Sequence, residues 1–424
     1  MSTPTTKDPR ALLALDEALA RLEAGARPFA ITATETVSTF DALGRVLAED
    51  VRSPLNVPPE DNTSMDGYAL RCADVQAAGA VLSVAQRIPA GHVGQPLQPG
   101  TAARIFTGGQ VPPGADAVVM QEQCEAVAGA GFGQVKVNEV PKPGQWIRRR
   151  GEDVREGFAV LQHGARLTPQ ALGLAASVGA GQLKVLRRPR VAILSTGDEL
   201  QMPGEPLRPG AIYNSNRFTM RALAEAAGCE VIDGGIVRDT LADTRTALRE
   251  MAQRADLIVT SGGVSVGEED HLKPAARAEG QLEDWQIAAK PGKPLAFGQI
   301  RRHDSSDSGG VALLIGLPGN PVSAYVTWLL AVNHVLRVLQ GLPPGLPTAW
   351  PLRAAFDWPK PDKRREFMRA RLNPDGELEL FPNQSSGVLT SAVWADGFVD
   401  NPPGQAIARG DVVRFLPLSE LLQR

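Results

Sequence analysis

The chain has 424 residues, 43% of them hydrophobic, enough for several cores and too many for one ordinary domain. A net charge of −3 gives no global pull toward nucleic acid or an anionic membrane, so any anion site must be local. The three cysteines, Cys72, Cys124 and Cys229, form no CxxC and no Cys/His cluster, which argues against a disulfide framework or structural zinc and fits a reducing cytoplasm.

Residues 8–25, DPRALLALDEALARLEAG, place Leu12, Leu15, Leu19 and Leu22 at helical spacing, with Gly25 as a stop signal. Lys7, Asp8 and Arg10 precede the apolar residues, so no signal-peptide pattern is read there, and no run reads as long enough to span a bilayer. From about 53 to 150, short apolar runs broken by Gly and Pro read as a β-rich module. Within it, NVPPEDNTSMDGYAL ends an extended run in Asn62, Thr63, Ser64 and Asp66, IFTGGQVP offers Thr107, and WIRRRGEDV sets Arg148, Arg149 and Arg150 against Glu152 and Asp153. Residues 168–185 read as a helix with Thr168 as cap and Pro169 in the first turn.

Residues 186–338 carry the clearest pattern. Apolar runs VAILSTG, CEVIDGGIV, ADLIVTSGG and VALLIGLPG alternate in part with helical stretches, the signature of a mostly parallel sheet covered on both faces. Ligands in such folds collect at the carboxyl ends of the strands. GLPPGLP, at 341–347, reads as a stiff linker. Beyond it, RREFMRARL alternates with period two and DVVRFLPL reads as a strand, so a small β-barrel or sandwich is expected.

Each strand of the α/β stretch ends in polar equipment. The first ends in Ser195, Thr196, Gly197, Asp198 and Glu199, and the second at Asp239. The third gives Ser261, Gly262, Gly263 and Ser265, then Glu268, Glu269 and Asp270. The fourth ends in Pro318-Gly319-Asn320-Pro321 and opens a helix, with Asn320 able to cap and Ser323 in the first turn. Glycines after a strand fold into a nest of N–H groups suited to phosphate. The carboxylates fit a hard cation bridging to that phosphate, as magnesium does. KPGKPLAFG adds Lys290 and Lys293 on either side of a Pro-Gly bend, where a bound anion would relieve their mutual repulsion. Taken one at a time, each feature also reads as a solvated loop, a helix cap or a surface charge cluster.

Taken together, NTSMDGYAL, TGGQVPPGADAVVMQE, RRRGEDV, STGDEL, TSGGVSVGEEDHLK, KPGKPLAFG and GLPGNPVSAYVTW resemble, in this order, the molybdopterin molybdenumtransferases and the related E domain of gephyrin. The resemblance runs from about 10 to 420. It implies an α/β plus β, multidomain fold. A central doubly wound α/β domain spans 186–338, and a β-rich inserted domain spans 53–150. An elongated N-terminal dimerisation domain is made of 1–52 and 151–185, and a C-terminal β-barrel of 346–424. It implies insertion of molybdenum from molybdate into adenylylated molybdopterin with release of AMP and with Mg2+ assisting. It implies a cytoplasmic homodimer whose cleft takes in the Asp66 region of the partner, with molybdopterin adenylyltransferase and molybdoenzyme chaperones as further partners and neither nucleic acid nor membrane. Carried over by position, Lys290, Lys293, Pro294 and Ser323 match the molybdate site, with Arg369 and Ser386 nearby. Asp66, Thr107, Asp153, Glu199, Asp239 and Asp270 match positions tied to activity, the last three as metal ligands. Thr196, Gly197, Asp198, Ser261, Gly262, Gly263 and Ser265 are assigned to cofactor binding, with the phosphate in the Gly-rich loop. Gln286 stands where the family often has a lysine, and QSSG departs from the more usual QGSG around Ser386. Two other readings stay open: a molybdopterin adenylyltransferase, and a non-catalytic scaffold of the gephyrin type.

Overall fold

The computed structural model of the protein describes residues 12–264, 271–302 and 310–423. Residues 36–185 form one compact unit, and the chain on either side of them forms the other.

Helix α1 (Leu15–Ala26) buries Leu15, Leu19 and Leu22. Gly25 does not stop it. A Cβ there would lie 2.4 Å from Cε1 of Phe297, so the glycine serves a close approach of the helix to that ring. The interposed unit carries a six-stranded sheet of β1 (Gly67–Leu70), β2 (Ala80–Ile88), β3 (Thr101–Ile105), β4 (Ala117–Met120), β5 (Cys124–Val127) and β6 (Gln134–Val137). Its order is β4-β1-β3-β2-β6-β5, with β2 and β3 the parallel pair. The helix expected over 168–185 is shorter. It forms α2 (Pro169–Ser177), with Thr168 Oγ1 accepting from the N–H of Ala171, and Gln182–Leu186 is a strand. Gly179, at φ +83°, ends the helical stretch, and the alternating burial of Leu183 and Val185 suits a sheet better than a helix.

The chain then builds β7 (Arg190–Thr196), α3 (Ser215–Ala226), β8 (Glu230–Val237), α4 (Leu241–Arg254), β9 (Leu257–Ser261), α5 (Leu272–Glu279), β10 (Gly280–Gln286), β11 (Ala289–Lys290), β12 (Pro294–Arg301) and β13 (Val311–Leu317). The sheet order is β8-β7-β9-β13-β12-β10, with the first four strands parallel and the last two antiparallel. Successive side chains on a strand face opposite ways, and the two cores divide accordingly. Val191, Ile193, Leu257, Val259, Leu313 and Ile315 pack with α1 and α3, whereas Ala192, Leu194, Ile258 and Leu314 pack with α4 and α5. Both faces are therefore covered, which is why these strands read as continuous apolar runs.

After β13, α6 (Pro321–Thr327), a π-helical turn and α7 (Asn333–Leu339) form one helical run. This run, Pro321–Leu339, has 19 residues and a hydropathy of 1.4, so length and composition alone would let it cross a membrane, contrary to expectation. Its most apolar window is 83% buried inside the protein, as a core helix is. The C-terminal strands are β14 (Trp350–Arg353), β15 (Arg365–Leu372), β16 (Leu378–Leu380), β17 (Gly397–Asn401) and β18 (Val412–Pro417). They pair in the order β11-β15-β17-β18-β14, with β16 also on β15. The short strand β11, which carries Lys290, thus belongs to the C-terminal sheet, with Lys290 in register with Glu366. The fold is α/β plus β.

Candidate functional site

The Lys290–Lys293 bend is held by its backbone. The N–H of Ile287 donates to the Lys293 carbonyl at 2.7 Å, and Gly292 adopts φ +106°. A Cβ on Gly292 would sit 2.3 Å from Oγ1 of Thr327, so any other residue would be strained at this φ and would force that side chain to move. The bend forms one wall of a cleft of about 620 Å³. Gly262 and Gly263, after β9, form a second wall, and Pro318, Gly319, Asn320 and Ser323, after β13, form a third. These loops meet because β9 and β13 are parallel neighbours and both end here. Gly262, at φ +88°, approaches Thr196 so closely that a Cβ would lie 2.8 Å from its carbonyl oxygen.

Ser323 is 5% exposed, in the first turn of α6. Asn320 stands at the N-cap position without a side-chain capping bond, and it lines the cleft instead. Ser386 also lines the cleft, and its carbonyl accepts from the N–H of Val322 at 3.0 Å. Pro294 completes the basic wall. Arg369, by contrast, does not line the cleft. It is 1% exposed, beneath the 384–386 turn, where Nε donates to Ser391 Oγ at 3.0 Å and Nη2 to the Ser385 carbonyl at 3.2 Å. Burial pulls its guanidinium down to about 10, and it makes no ion pair among the described residues.

The two lysines are not equivalent. Lys290 Nζ lies 3.2 Å from Glu366 Oε1 and 3.4 Å from Asp362 Oδ2. Glu366 is 2% exposed and also accepts from Trp358 Nε1 at 2.9 Å. Lys293 is exposed and has no ion pair among the described residues. Arg364, which sequence reasoning did not single out, also lines the cleft. It donates Nε and Nη2 to the two oxygens of Asp362, which holds that carboxyl well below the usual range. Gln384 and Ser385, in the hydroxyl-rich QSSG turn, line the cleft too. The one sequence signal for Glu366 is an acid on the apolar face shared by Met368 and Ala370. Nothing marked Asp362 or Arg364 among the other charges of PDKRRE.

Of the expected phosphate and metal residues, Gly262 and Gly263 line the cleft, whereas Thr196, Gly197, Asp198, Glu199, Asp239 and Ser261 lie at or just beyond neighbouring strand ends and do not. Asp198 Oδ1 accepts from the Asp239 N–H at 3.2 Å, bringing two of the acids together. The Glu199 carboxylate folds back over Gly197, where a Cβ would meet Oε2 at 2.5 Å. Thr196 is 7% exposed, and the Ser261 hydroxyl, 3.4 Å from Ser195 Oγ, is buried within the sheet. Ser265 and Asp270 lie outside the described residues. Among the described residues, no three His, Cys, Asp or Glu side chains converge as a metal site would require. Asp198 and Asp239 do provide the hard oxygen donors that suit magnesium, which commonly takes one or two carboxylates and completes its shell from phosphate and water.

In the 36–185 unit, Asp66 Oδ1 accepts from both the N–H and Oγ1 of Thr107, each at 2.7 Å. The backbone bond leads in lowering the Asp66 carboxyl below its ordinary value. Asp153 is exposed and, among the described residues, shares no bond with that pair. Cys72 and Cys124 are free thiols, each pushed up to about 11 by burial and so protonated at neutral pH.

Three family descriptions match the chain in succession. They are "MoeA N-terminal region (domain I and II)" over residues 13–179, "Probable molybdopterin binding domain" over 192–338 and "MoeA C-terminal region (domain IV)" over 351–418. The molybdopterin molybdenumtransferase of Haemophilus influenzae is 41% identical over 97% of this chain and 100% of its own length. Molybdopterin molybdenumtransferase 2 of Mycobacterium tuberculosis is 38% identical over 87% of this chain and 90% of its own. The crystal structure of a molybdopterin biosynthesis MoeA protein from Pyrococcus horikoshii superposes with a TM-score of 0.75 at 31% identity, covering 96% of this chain and 99% of that one.

Proposed function

The chain belongs to the molybdopterin molybdenumtransferase family, and on that premise we propose that it inserts molybdenum from molybdate into adenylylated molybdopterin and releases AMP. The observation that carries the reading is the cleft at the strand ends, where Lys290, Lys293, Ser323 and Ser386 face one space beside the Gly262–Gly263 turn. Molybdate is a tetrahedral dianion. Exposed Lys293 supplies an uncommitted cation, Lys290 and Arg364 supply cations already held by acids, and the serine hydroxyls supply donors. The glycine turn offers backbone N–H groups to the substrate phosphate.

Holding the oxyanion beside a fixed dithiolene removes the entropic cost of bringing two reactants together, which in ideal cases is worth roughly 7–11 kcal/mol. The Cys72 and Cys124 thiols are protonated at neutral pH, and no described Ser–His pair activates a nucleophile. The chain's own work is therefore to bind, orient and balance charge, without a covalent enzyme intermediate. Mg2+ is assigned to Asp198 and Asp239, with Glu199 and Asp270 as further donors, and when bound it supplies positive charge to the breaking phosphoanhydride. Asp66, Thr107 and Asp153 are assigned to the same reaction. The enzyme is proposed to act in the cytoplasm as a homodimer.

The test is an assay of the purified protein with adenylylated molybdopterin, with and without molybdate. AMP release and reactivation of an apo-molybdoenzyme should both require molybdate. Production of adenylylated molybdopterin from ATP would instead make it the adenylyltransferase, and a radiolabelled adenylyl-protein would end the non-covalent account.

A further inference from the structure

Asp362 occupies the cations that an incoming oxyanion needs. Its Oδ2 lies 2.9 Å from Arg364 Nη2 and 3.4 Å from Lys290 Nζ, and both of those side chains line the cleft. Its Oδ1 accepts from the N–H and Nε of Arg364, each at 3.0 Å. Asp362 itself faces an adjoining hollow, lined also by Lys293, Lys363 and Arg364. Its neighbour Glu366 is different in kind. Glu366 is 2% exposed and bound by Trp358 Nε1 and the Asp362 N–H, so it is a fixed anchor for Lys290. The Asp362 side chain is 23% exposed and lies at the boundary between cleft and hollow.

We propose that Asp362 is a built-in stand-in for the oxyanion: its carboxylate pairs with Lys290 and Arg364, and a tetrahedral dianion binds by displacing it. The arrangement solves a physical problem. Without an anion, Lys290, Lys293 and Arg364 would face one space with like charge. A carboxylate on a short side chain neutralises part of that charge, yet carries one negative charge against the dianion's two. Once displaced, it has Lys363 within the same hollow as a new partner. Glu366 keeps Lys290 aimed at the cleft throughout, so the exchange involves one carboxylate and leaves the wall in place. Asp362 thereby sets the affinity for the oxyanion and disfavours monoanions, which cannot outcompete it. This inference rests on the functional reading of the cleft.

The experiment is calorimetric titration of full-length wild-type and Asp362→Asn protein with sodium molybdate and, separately, with sodium sulfate and sodium nitrate. Asparagine keeps an oxygen for the Arg364 N–H and removes the charge. Molybdate and sulfate should bind the variant about tenfold more tightly than wild type, because the competitor is gone. Nitrate, excluded by wild type, should bind the variant measurably. Unchanged or weaker dianion binding by folded Asp362→Asn protein overturns the proposal and leaves the functional reading standing. Failure of both proteins to bind either dianion overturns both. Should Asp362→Asn not fold, Asp362→Ser is titrated in its place; if that also fails to fold, Asp362 is a structural clamp and the proposal is wrong.

Discussion

Removing one positive charge from the cleft should have two different consequences depending on which lysine carries it. Lys293 is exposed and has no ion pair among the described residues, so Lys293→Gln leaves no acid stranded. Its stability cost should stay within about 0.5 kcal/mol, as for ordinary surface changes. Its charge is instead directed at the ligand. A unit charge about 4 Å from a dianion interacts with roughly twice 4 kcal/mol at an effective dielectric near 20. Exposure and salt reduce that several-fold, leaving about 1.4–2.8 kcal/mol, or about 10- to 100-fold in molybdate affinity. Lys290→Gln removes the same charge from a different place. Glu366, 2% exposed, would lose its cation 3.2 Å away and keep only neutral donors such as Trp358 Nε1. Breaking a buried pair costs about 3–5 kcal/mol, but Lys290 is 40% exposed and Glu366 retains those donors, so about 1–2 kcal/mol is expected here. Differential scanning calorimetry and molybdate titration on the two variants separate the effects. Lys293→Gln should bind poorly with an unshifted melting temperature. Lys290→Gln should lose several degrees, and most of that loss should be restored when Glu366 is also changed to Gln. Equal melting temperatures, or equal losses of affinity with no rescue by the second change, would refute the assignment of Glu366 as anchor and Lys293 as the uncommitted charge.

Gly25→Ala gains helix propensity worth up to about 1 kcal/mol but drives a methyl against Phe297, an overpacking that costs about 1–3 kcal/mol; chemical denaturation should therefore show a net loss of about 1 kcal/mol or slightly more. His334 lies 5% exposed, and among the described residues neither ring nitrogen has a hydrogen bond of good geometry; burial is the main cause of its lowered pKa, with Glu23 and the Leu19 backbone opposing. The unfolded chain then binds a proton more readily than the native one, so the His334 contribution is fully present above the ordinary value of 6.5 and is lost as pH falls toward the depressed native value. His334→Leu should flatten stability over that window, as read by urea midpoints at pH 5.5 and 7.5; an unchanged slope rules the cause out. Chelation with EDTA should abolish AMP release and leave molybdate titration of the cleft unchanged, since the acids assigned to the metal and the cations assigned to the oxyanion belong to different loops. Loss of molybdate binding on chelation would contradict that separation.

The α/β core was legible because its physics is local and repetitive. A strand covered on both faces must be apolar throughout, so Val191–Leu194 and Leu257–Val259 announce themselves, and the intervening helices follow from their spacing. Where two tendencies competed, the pattern misled. Gly25 carries the mark of a helix end, yet its lack of a side chain makes room for the Phe297 ring on β12. The 168–185 stretch begins with a true cap and first-turn proline, but its last residues alternate, and a helical reading of the opening was carried too far.

The site divides along the same line. Gly262 and Gly263 stand in the turn after β9 and Ser323 in the helix that opens after β13, so topology alone predicts that they converge. Arg364 lines the cleft, and Asp362 and Glu366 reach Lys290, only because β11, two residues long, pairs with β15 of the C-terminal sheet. No periodicity encodes that crossing, since a two-residue strand has no pattern. Its consequence is chemical. The register sets Lys290 opposite Glu366, a buried acid on an otherwise apolar face, so the charge of the first lysine is balanced before any substrate arrives, while that of the second is not. A motif written KPGKP treats the lysines as a symmetrical pair; the fold pairs one with a buried acid and leaves the other exposed, without an ion pair among the described residues.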